Sequence, residues 1–389
     1  MKTKSKVLYY AGWNSFTHIG CAYNLAKIMP EVDFHVASAE KWPFEPLPNL
    51  TFHKLYRPNC AMRIDEKFYL HTYPYEKELG DVKRYRKHFF SYLDLVKKVD
   101  PNLILVDITL EIAVWSKYLG YPVGLFYETF DSNNLRHQLA WDNVDEIFVR
   151  YPKKFIEQIE NNINLKMVFL GGVSKFDLIN KMPSKEESAA EIGLKNDNRK
   201  VVTILSSSHS HNNAQVRRYF ETICEAMNGE SEKYQVFMLY PKQDGIIKHL
   251  QHKYKNINYV VGVFNKVHNY LINSDMVITG AGMGATMESA YFRVPMLMIP
   301  VPWIISEQMM KAKALEDIGV ARVVDPIDMT PEVIRMETDA ILSNPETIEK
   351  MKDAERALID KKGYQRLAQK VRKMLRSSSA ISKSSVLND

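Results

Sequence analysis

Short apolar runs rich in β-branched and aromatic residues alternate with longer amphipathic stretches along the whole chain. In the first half the runs Val7–Ala11, Val32–Ser38, Leu103–Asp107, Val123–Tyr127, Glu146–Val149 and Val168–Leu170 read as strands. In the second half Val201–Leu205, Gln235–Leu239, Asn258–Val261, Met276–Thr279, Met296–Ile299 and Ala321–Val324 do the same. Apolar positions at helical spacing lie between them, as in Ala22–Met29, Val216–Met227 and Met309–Ile318. Strands that are apolar throughout, rather than at alternate positions, are covered on both faces, and strands alternating with helices form parallel sheets. The pattern therefore predicts an α/β protein. The strands are too many for one sheet, and 389 residues exceed one ordinary core. The natural break is Gly171-Gly172-Val173-Ser174. We expect two doubly wound, Rossmann-like domains over residues 1–170 and 176–350, joined by a linker at 171–175. Residues 351–375 read as one long basic helix. Residues 376–389, polar and poor in aromatics, read as a disordered tail.

The strand Met276–Thr279 runs directly into T-G-A-G-M-G-A-T-M-E, Thr279 to Glu288, and Gln308 follows Glu288 by twenty residues. Gly280, Gly282 and Gly284 allow positive φ and close backbone approach, so the segment reads as strand, turn and helix start. Bare amides at such a start, here around Gly282, Met283 and Gly284, carry about half a positive elementary charge and suit a phosphate. Glu288, just inside the helix, offers two acceptor oxygens to a ribose diol. A glycine turn that merely packs a helix on a sheet explains the glycines but not Glu288 and Gln308. The spacing is neither a P-loop nor a dinucleotide fingerprint, which belongs to the first βα turn.

These residues resemble the donor site of the GT-B nucleotide-sugar glycosyltransferases, which include UDP-glycosyltransferases and the bacterial transferase that completes lipid II. The family pattern is approximately T-H-G-G-x-N-S-T-x-E, then an apolar strand, a proline, and D-Q or E-Q. Thr279, Gly282, Thr286, Glu288, Pro300 and Glu307-Gln308 match it, whereas Gly280 stands at the family histidine and Ala285 at the family serine. Both departures leave the diphosphate to backbone groups. The resemblance implies two domains facing across a cleft, acceptor-binding at 1–170 and nucleotide-sugar-binding at 176–350, with the last helix packing back on the first domain. It also implies that Glu307 and Gln308 grip sugar hydroxyls and that Phe264 and Asn265, in V-G-V-F-N, flank the base. Phe264 fits an ordinary core position as well.

Ligands of open α/β sheets bind beyond the carboxyl ends of the strands. After Val7–Ala11 comes G-W-N-S-F-T-H-I-G, where His18 opens a helix at the place where the resembled enzymes carry a general-base histidine. Position alone serves a base and a helix-terminus residue equally. Asp107, delivered at the end of Leu103–Asp107, favours the base, since many of these enzymes pair an aspartate there with the histidine. The loop S-S-S-H-S after Val201–Leu205 offers hydroxyls of Ser206, Ser207 and Ser208 to the diphosphate, or else a serine-rich helix cap. The basic and aromatic run K-R-Y-R-K-H-F-F, Lys83 to Phe90, suits a solvated helix face; a functional role would have it meet an anionic acceptor or lipid headgroups.

The composition, 46% hydrophobic and 25% charged, is that of an ordinary globular enzyme. A net charge of +6 suits an anionic donor or an acidic membrane surface and falls short of a nucleic-acid signature. Three scattered cysteines indicate neither disulfides nor zinc. With no signal peptide and no stretch of about twenty apolar residues, we expect a cytoplasmic chain, peripheral at most on the inner face of the membrane. The resemblance implies an inverting, metal-independent hexosyltransferase with no cofactor beyond its nucleotide-sugar co-substrate, with UDP as the nucleotide the resemblance favours. His18 would act as base and Asp107 would fix its tautomer. A nucleotide-sugar hydrolase and a catalytically inactive nucleotide-sugar-binding subunit remain open alternatives, and the hydroxyl acceptor is not legible.

Overall fold

The computed structural model describes residues 4–12, 16–39, 42, 44–56, 82–128, 135–159, 165–179, 181–206, 214–262, 266–301 and 305–385. The chain forms two compact units. Unit 1 comprises Met1–Val173 and Asp360–Asp389, and unit 2 comprises Ser174–Ile359.

Unit 1 runs β1 (Lys6–Tyr10), α1 (Phe16–Ile28), β2 (Asp33–Ser38), β3 (Leu50–Lys54), α2 (Val82–Val99), β4 (Leu103–Asp107), α3 (Leu110–Tyr118), β5 (Val123–Tyr127), α4 (Leu135–Asn143), β6 (Glu146–Val149), α5 (Lys153–Ile159) and β7 (Met167–Phe169). Its sheet is parallel in the order β3-β2-β1-β4-β5-β6-β7. The strand β3 escapes the sequence pattern because Leu-Thr-Phe-His-Lys is an edge strand, half exposed and not continuously apolar. The central strands β4 and β5 are buried at every position, as a sheet covered on both faces requires. The order reverses between β1 and β4, so the crevice at that switch point is the place for a ligand.

Unit 2 runs α6 (Lys185–Ile192), β8 (Lys200–Leu205), α7 (Ala214–Asn228), β9 (Tyr234–Tyr240), α8 (Gly245–Lys253), β10 (Ile257–Val261), α9 (Val267–Asn273), β11 (Met276–Thr279), α10 (Met283–Phe292), β12 (Met296–Met298), α11 (Ile305–Asp317), β13 (Ala321–Val323), α12 (Pro331–Leu342) and α13 (Pro345–Leu358). Its parallel sheet has the order β10-β9-β8-β11-β12-β13, with the switch point between β8 and β11.

The end of the chain departs from expectation. In place of one helix over 351–375, α13 stops at Leu358 and α14 (Gly363–Ser385) begins after a short break. Asp360 donates its N–H to Gly172 O at 2.9 Å, and Arg366 reaches Asp360 at 2.7 Å. A Cβ on Gly363 would stand 2.2 Å from Val173 Cγ1 and 2.7 Å from Leu170 O, so only glycine fits this crossing of two chain segments. Within the tail expected over 376–389, α14 continues to Ser385 with no glycine or proline to interrupt it, and residues 386–389 lie outside the described residues. Leu367, Ala368, Val371, Met374 and Leu375 bury its apolar stripe. Arg372 pairs with Glu31 at 2.7 Å and Lys370 with Glu146 at 2.7 Å, fastening the helix to unit 1.

Candidate functional site

Four neighbouring strands of unit 1 deliver charged or polar groups to one end of the sheet. Asp107 is the last residue of β4, Glu128 follows β5, Arg150 follows β6, and His18 is carried by the first turn of α1 beyond β1. His18 Nδ1 stands 2.9 Å from Asp107 Oδ1. Asp107 Oδ2 accepts from the Tyr9 hydroxyl at 2.6 Å and from Arg150. The same guanidinium donates to Glu128 and, at 3.1 Å, to the Tyr9 oxygen, and lies 4.5 Å from the centre of the Phe126 ring. All of this is inside the protein: His18 is 5% exposed, Asp107 0% and Arg150 1%.

The backbone at Asp107 is strained. Thr109 donates its N–H to Asp107 O at 2.8 Å, closing a three-residue turn that leaves Ile108 at φ 55°. A β-branched residue in the left-handed region costs about 1–3 kcal/mol and persists only where its surroundings fix it. Here the turn ends the strand so that the carboxylate faces His18.

Electrostatics follow from the burial. Burial by itself pushes the Asp107 carboxyl up, but the Arg150 guanidinium and His18 overcome it and hold the group well below the usual carboxylate range. Burial likewise pushes the His18 imidazole down, and the Asp107 carboxylate, with a contribution from Glu128, reverses this and leaves it above its ordinary 6.5. Burial holds the nearby Cys21 thiol protonated by pushing it up. His18, Asp107 and Glu128 offer ligand atoms within 4.8 Å of one another. The Arg150 guanidinium already meets both carboxylates, so the cluster has its cation built in.

In unit 2 the turn after β11 leads into α10 with Gly282 as N-cap and no side-chain cap on the first amides. Of the two freedoms glycine allows, positive φ is taken by none of Gly280, Gly282 and Gly284. Close approach is the reason for Gly280: a Cβ there would lie 2.8 Å from Val301 Cγ2 and 3.1 Å from Gln308 Oε1. Gly282 has open space around it. Met283 is buried at the helix start, and Gly284 is half-buried. Several expected donor contacts are engaged with the protein itself. The Thr286 hydroxyl is fully buried and donates to Gly282 O at 3.0 Å. Gln308 is buried, and its Oε1 accepts from Val301 N–H at 3.0 Å, which holds the loop after β12. The Ser206 hydroxyl donates to Leu239 O at 2.6 Å. Glu288 Oε1 is paired with Lys175 Nζ at 2.9 Å. Ser207, Ser208, Phe264 and Asn265 lie outside the described residues, as does the side chain of Glu307 in α11.

The model of the glycosyltransferase family 28 C-terminal domain matches residues 167–371, more than half of the chain. The chain belongs to glycosyltransferase family 28. It is similar, at 25% identity over 64% of this chain and 68% of the relative, to a Bacillus thuringiensis (strain Al Hakam) UDP-N-acetylglucosamine–N-acetylmuramyl-(pentapeptide) pyrophosphoryl-undecaprenol N-acetylglucosamine transferase. A Staphylococcus aureus (strain USA300 / TCH1516) transferase of the same description is 24% identical over 66% of this chain and 69% of its own length. Among solved structures, the calicheamicin glycosyltransferase CalG4 aligns with TM-score 0.64 at 13% identity, covering 96% of this chain and 99% of CalG4. MurG of Acinetobacter baumannii aligns with TM-score 0.58 at 15% identity, covering 95% and 100%. A putative UDP-N-acetylglucosamine 2-epimerase from Listeria monocytogenes shares the fold too, with TM-score 0.67 at 12% identity over 97% and 98%. The GT-B fold is therefore common to both reaction classes, and it is the family match that makes this chain a nucleotide-sugar glycosyltransferase.

In this family 28 chain, sequence reasoning found His18 and Asp107, which the sheet brings together, and missed Tyr9, Glu128, Arg150 and Lys175. Glu128 and Arg150 each follow an apolar strand, as Asp107 ends one, and the rule that ligands bind beyond strand carboxyl ends would have flagged both. Lys175 gave no such signal, since its partner Glu288 is more than a hundred residues away.

Proposed function

We propose that this glycosyltransferase transfers a hexose-type sugar, with inversion and without a metal, from a nucleotide diphosphate to an acceptor hydroxyl. The observation that carries the reading is the buried His18–Asp107 pair at the switch point of unit 1. Nδ1 faces the carboxylate, so Nε2 is the atom that takes the acceptor proton. As the O–H bond breaks toward Nε2, the oxygen forms a bond to the anomeric carbon. The bond from that carbon to the distal phosphate oxygen breaks, and its electron pair leaves with the nucleotide diphosphate. Asp107 stabilises the imidazolium that results. Unit 2 supplies the donor site, where uncapped amides at the start of α10 meet the charge that grows on the leaving diphosphate. Glu288 reads the ribose with the oxygen Lys175 leaves over, and UDP is the nucleotide we favour. Metal independence is supported by Arg150, which supplies fixed positive charge among the carboxylates of unit 1.

The acceptor reading extends to a membrane-held substrate, since the relatives' names specify a pyrophosphoryl-undecaprenol acceptor. No described helix is long and apolar enough to cross a membrane. Peripheral contact with an anionic surface is supported by α2 and α3, where Phe90 (56%), Trp115 (51%) and Tyr118 (63%) are exposed beside the exposed Arg86 and Lys87. His88 of the same basic run is instead buried against Tyr10 and Tyr56.

A thermal-shift panel of nucleotide sugars, followed by turnover with the stabilising donor, tests the reading. A donor that binds the folded state raises the midpoint by mass action. We expect His18→Ala to bind that donor as the parent does while losing about 10²–10⁴ in turnover. Undiminished turnover in His18→Ala would remove the base, and release of free sugar with no acceptor present would mark a hydrolase.

A further inference from the structure

Arg150 is an unusual residue to find 1% exposed, and it is the largest fully buried side chain among the described residues. An arginine at such depth is sustained only by fixed acceptors. It has them on three sides: Asp107 Oδ2, Glu128 Oε1 and the Tyr9 oxygen, with the Phe126 ring beneath. The planar fork of a guanidinium can bridge two carboxylates in a fixed geometry, which a lysine ammonium cannot.

We infer that Arg150 is a positioning residue for the transfer reaction: it spans Asp107 and Glu128, turns Asp107 so that Oδ1 faces His18, and balances one of the two carboxylate charges around that imidazole. This rests on His18 being the base. The orientation follows from the division of labour at Asp107. Oδ2 is taken by Arg150 and Tyr9, which leaves Oδ1 for His18. The charge argument follows from the set of groups that face His18. Among the described residues they are Asp107 on β4, Glu128 beyond β5 and Arg150 beyond β6, with Tyr9 on β1 and Cys21 on α1 joined to the same cluster through Asp107 and Arg150. The tyrosine and thiol are neutral, burial pushing both up. The neutral imidazole therefore sees two carboxylates and one guanidinium, a net single negative charge. Taking the acceptor proton makes the cluster neutral, so the buried site favours the proton transfer. Without Arg150 the imidazole would face two uncompensated carboxylates and would hold its proton at neutral pH, where it could not act as a base.

The test follows the His18 ring by NMR in protein carrying labelled histidine, with the His18 signal identified by its loss in His18→Asn. Arg150→Met should raise the His18 titration midpoint by about one pH unit or more, since removal of a neighbouring charge shifts a buried group on that scale. Glu128→Gln should lower it, because one carboxylate is gone and the guanidinium remains. The double variant Arg150→Met/Glu128→Gln should return it close to the parent value. If Arg150→Met does not fold, the isosteric Glu128→Gln still decides. A midpoint unmoved by Glu128→Gln, or unmoved in a folded Arg150→Met, would overturn the inference. None of these readings needs a donor or an acceptor. Failure here is thus distinct from failure of the transferase reading, which would appear as undiminished turnover in His18→Ala.

Discussion

Replacing Gly280 by alanine tests whether close packing, rather than backbone freedom, selects glycine at this turn. The added Cβ would lie 2.8 Å from Val301 Cγ2, well inside contact distance, and 3.1 Å from Gln308 Oε1. Val301 is 1% exposed and Gln308 4%, so neither can swing into solvent. Overpacking of a buried site typically costs about 1–3 kcal/mol. Displacing Oε1 would also weaken its 3.0 Å bond from Val301 N–H. A buried donor left without its acceptor costs about 1–3 kcal/mol. The two strains relax together, and we expect a total of about 2–3 kcal/mol. Carried by unit 2 as one cooperative domain, that lowers its melting midpoint by about 4–12 °C. Gly282→Ala is the internal control: nothing lies within 4 Å of its Cβ, and it should lose well under half as much. Combining Gly280→Ala with Val301→Ala should show a coupling of about 0.5–3 kcal/mol in favour of the pair, because the second change removes the clashing methyl. Calorimetry of the parent, the three single variants and the double variant measures all of this. A Gly280→Ala midpoint equal to that of the parent, or strict additivity with Val301→Ala, would refute the packing argument.

Turnover should fall on the acid side through a midpoint above 6.5, because His18 must be neutral to act as base and its surroundings raise it; an acid limb below 6.5 would contradict this. The sign for stability is opposite: a raised folded value means His18 stabilises the fold below about 6.5 and loses that contribution as pH rises through the folded value. In unit 2, Lys175→Met leaves Glu288 mostly buried without its ion-pair partner and should cost about 3 kcal/mol by denaturant titration, whereas Lys175→Met/Glu288→Gln should recover much of it. Gly363→Ala forces a Cβ into Val173 and the Leu170 carbonyl, and hydrogen exchange should show α14 losing protection before the β4 core does.

The chain's local pattern determined what depends on local pattern. Runs such as Leu103–Asp107 and Val123–Tyr127, apolar at almost every position, have to be buried on both faces, and that alone leads to parallel sheets with helices between. Glycine spacing after β11 marked a strand, turn and helix start, and a polar residue closing an apolar strand marked Asp107 as a candidate. Where the pattern was weak the reading failed: β3 is too polar to register, and the break after Leu358 is set by contacts with Gly172 and Leu170 far back in the chain. Tertiary structure alone decided which side chains meet. Tyr9, Asp107, Glu128 and Arg150 converge only because the sheet places β1, β4, β5 and β6 side by side, an order set by global packing. In the sequence Arg150 is one of 52 lysines and arginines, set apart only by its place directly after an apolar strand. In the fold, the end of β6 carries it out of water and against two carboxylates, and the cost of burying that charge unpaired is what fixes the partners.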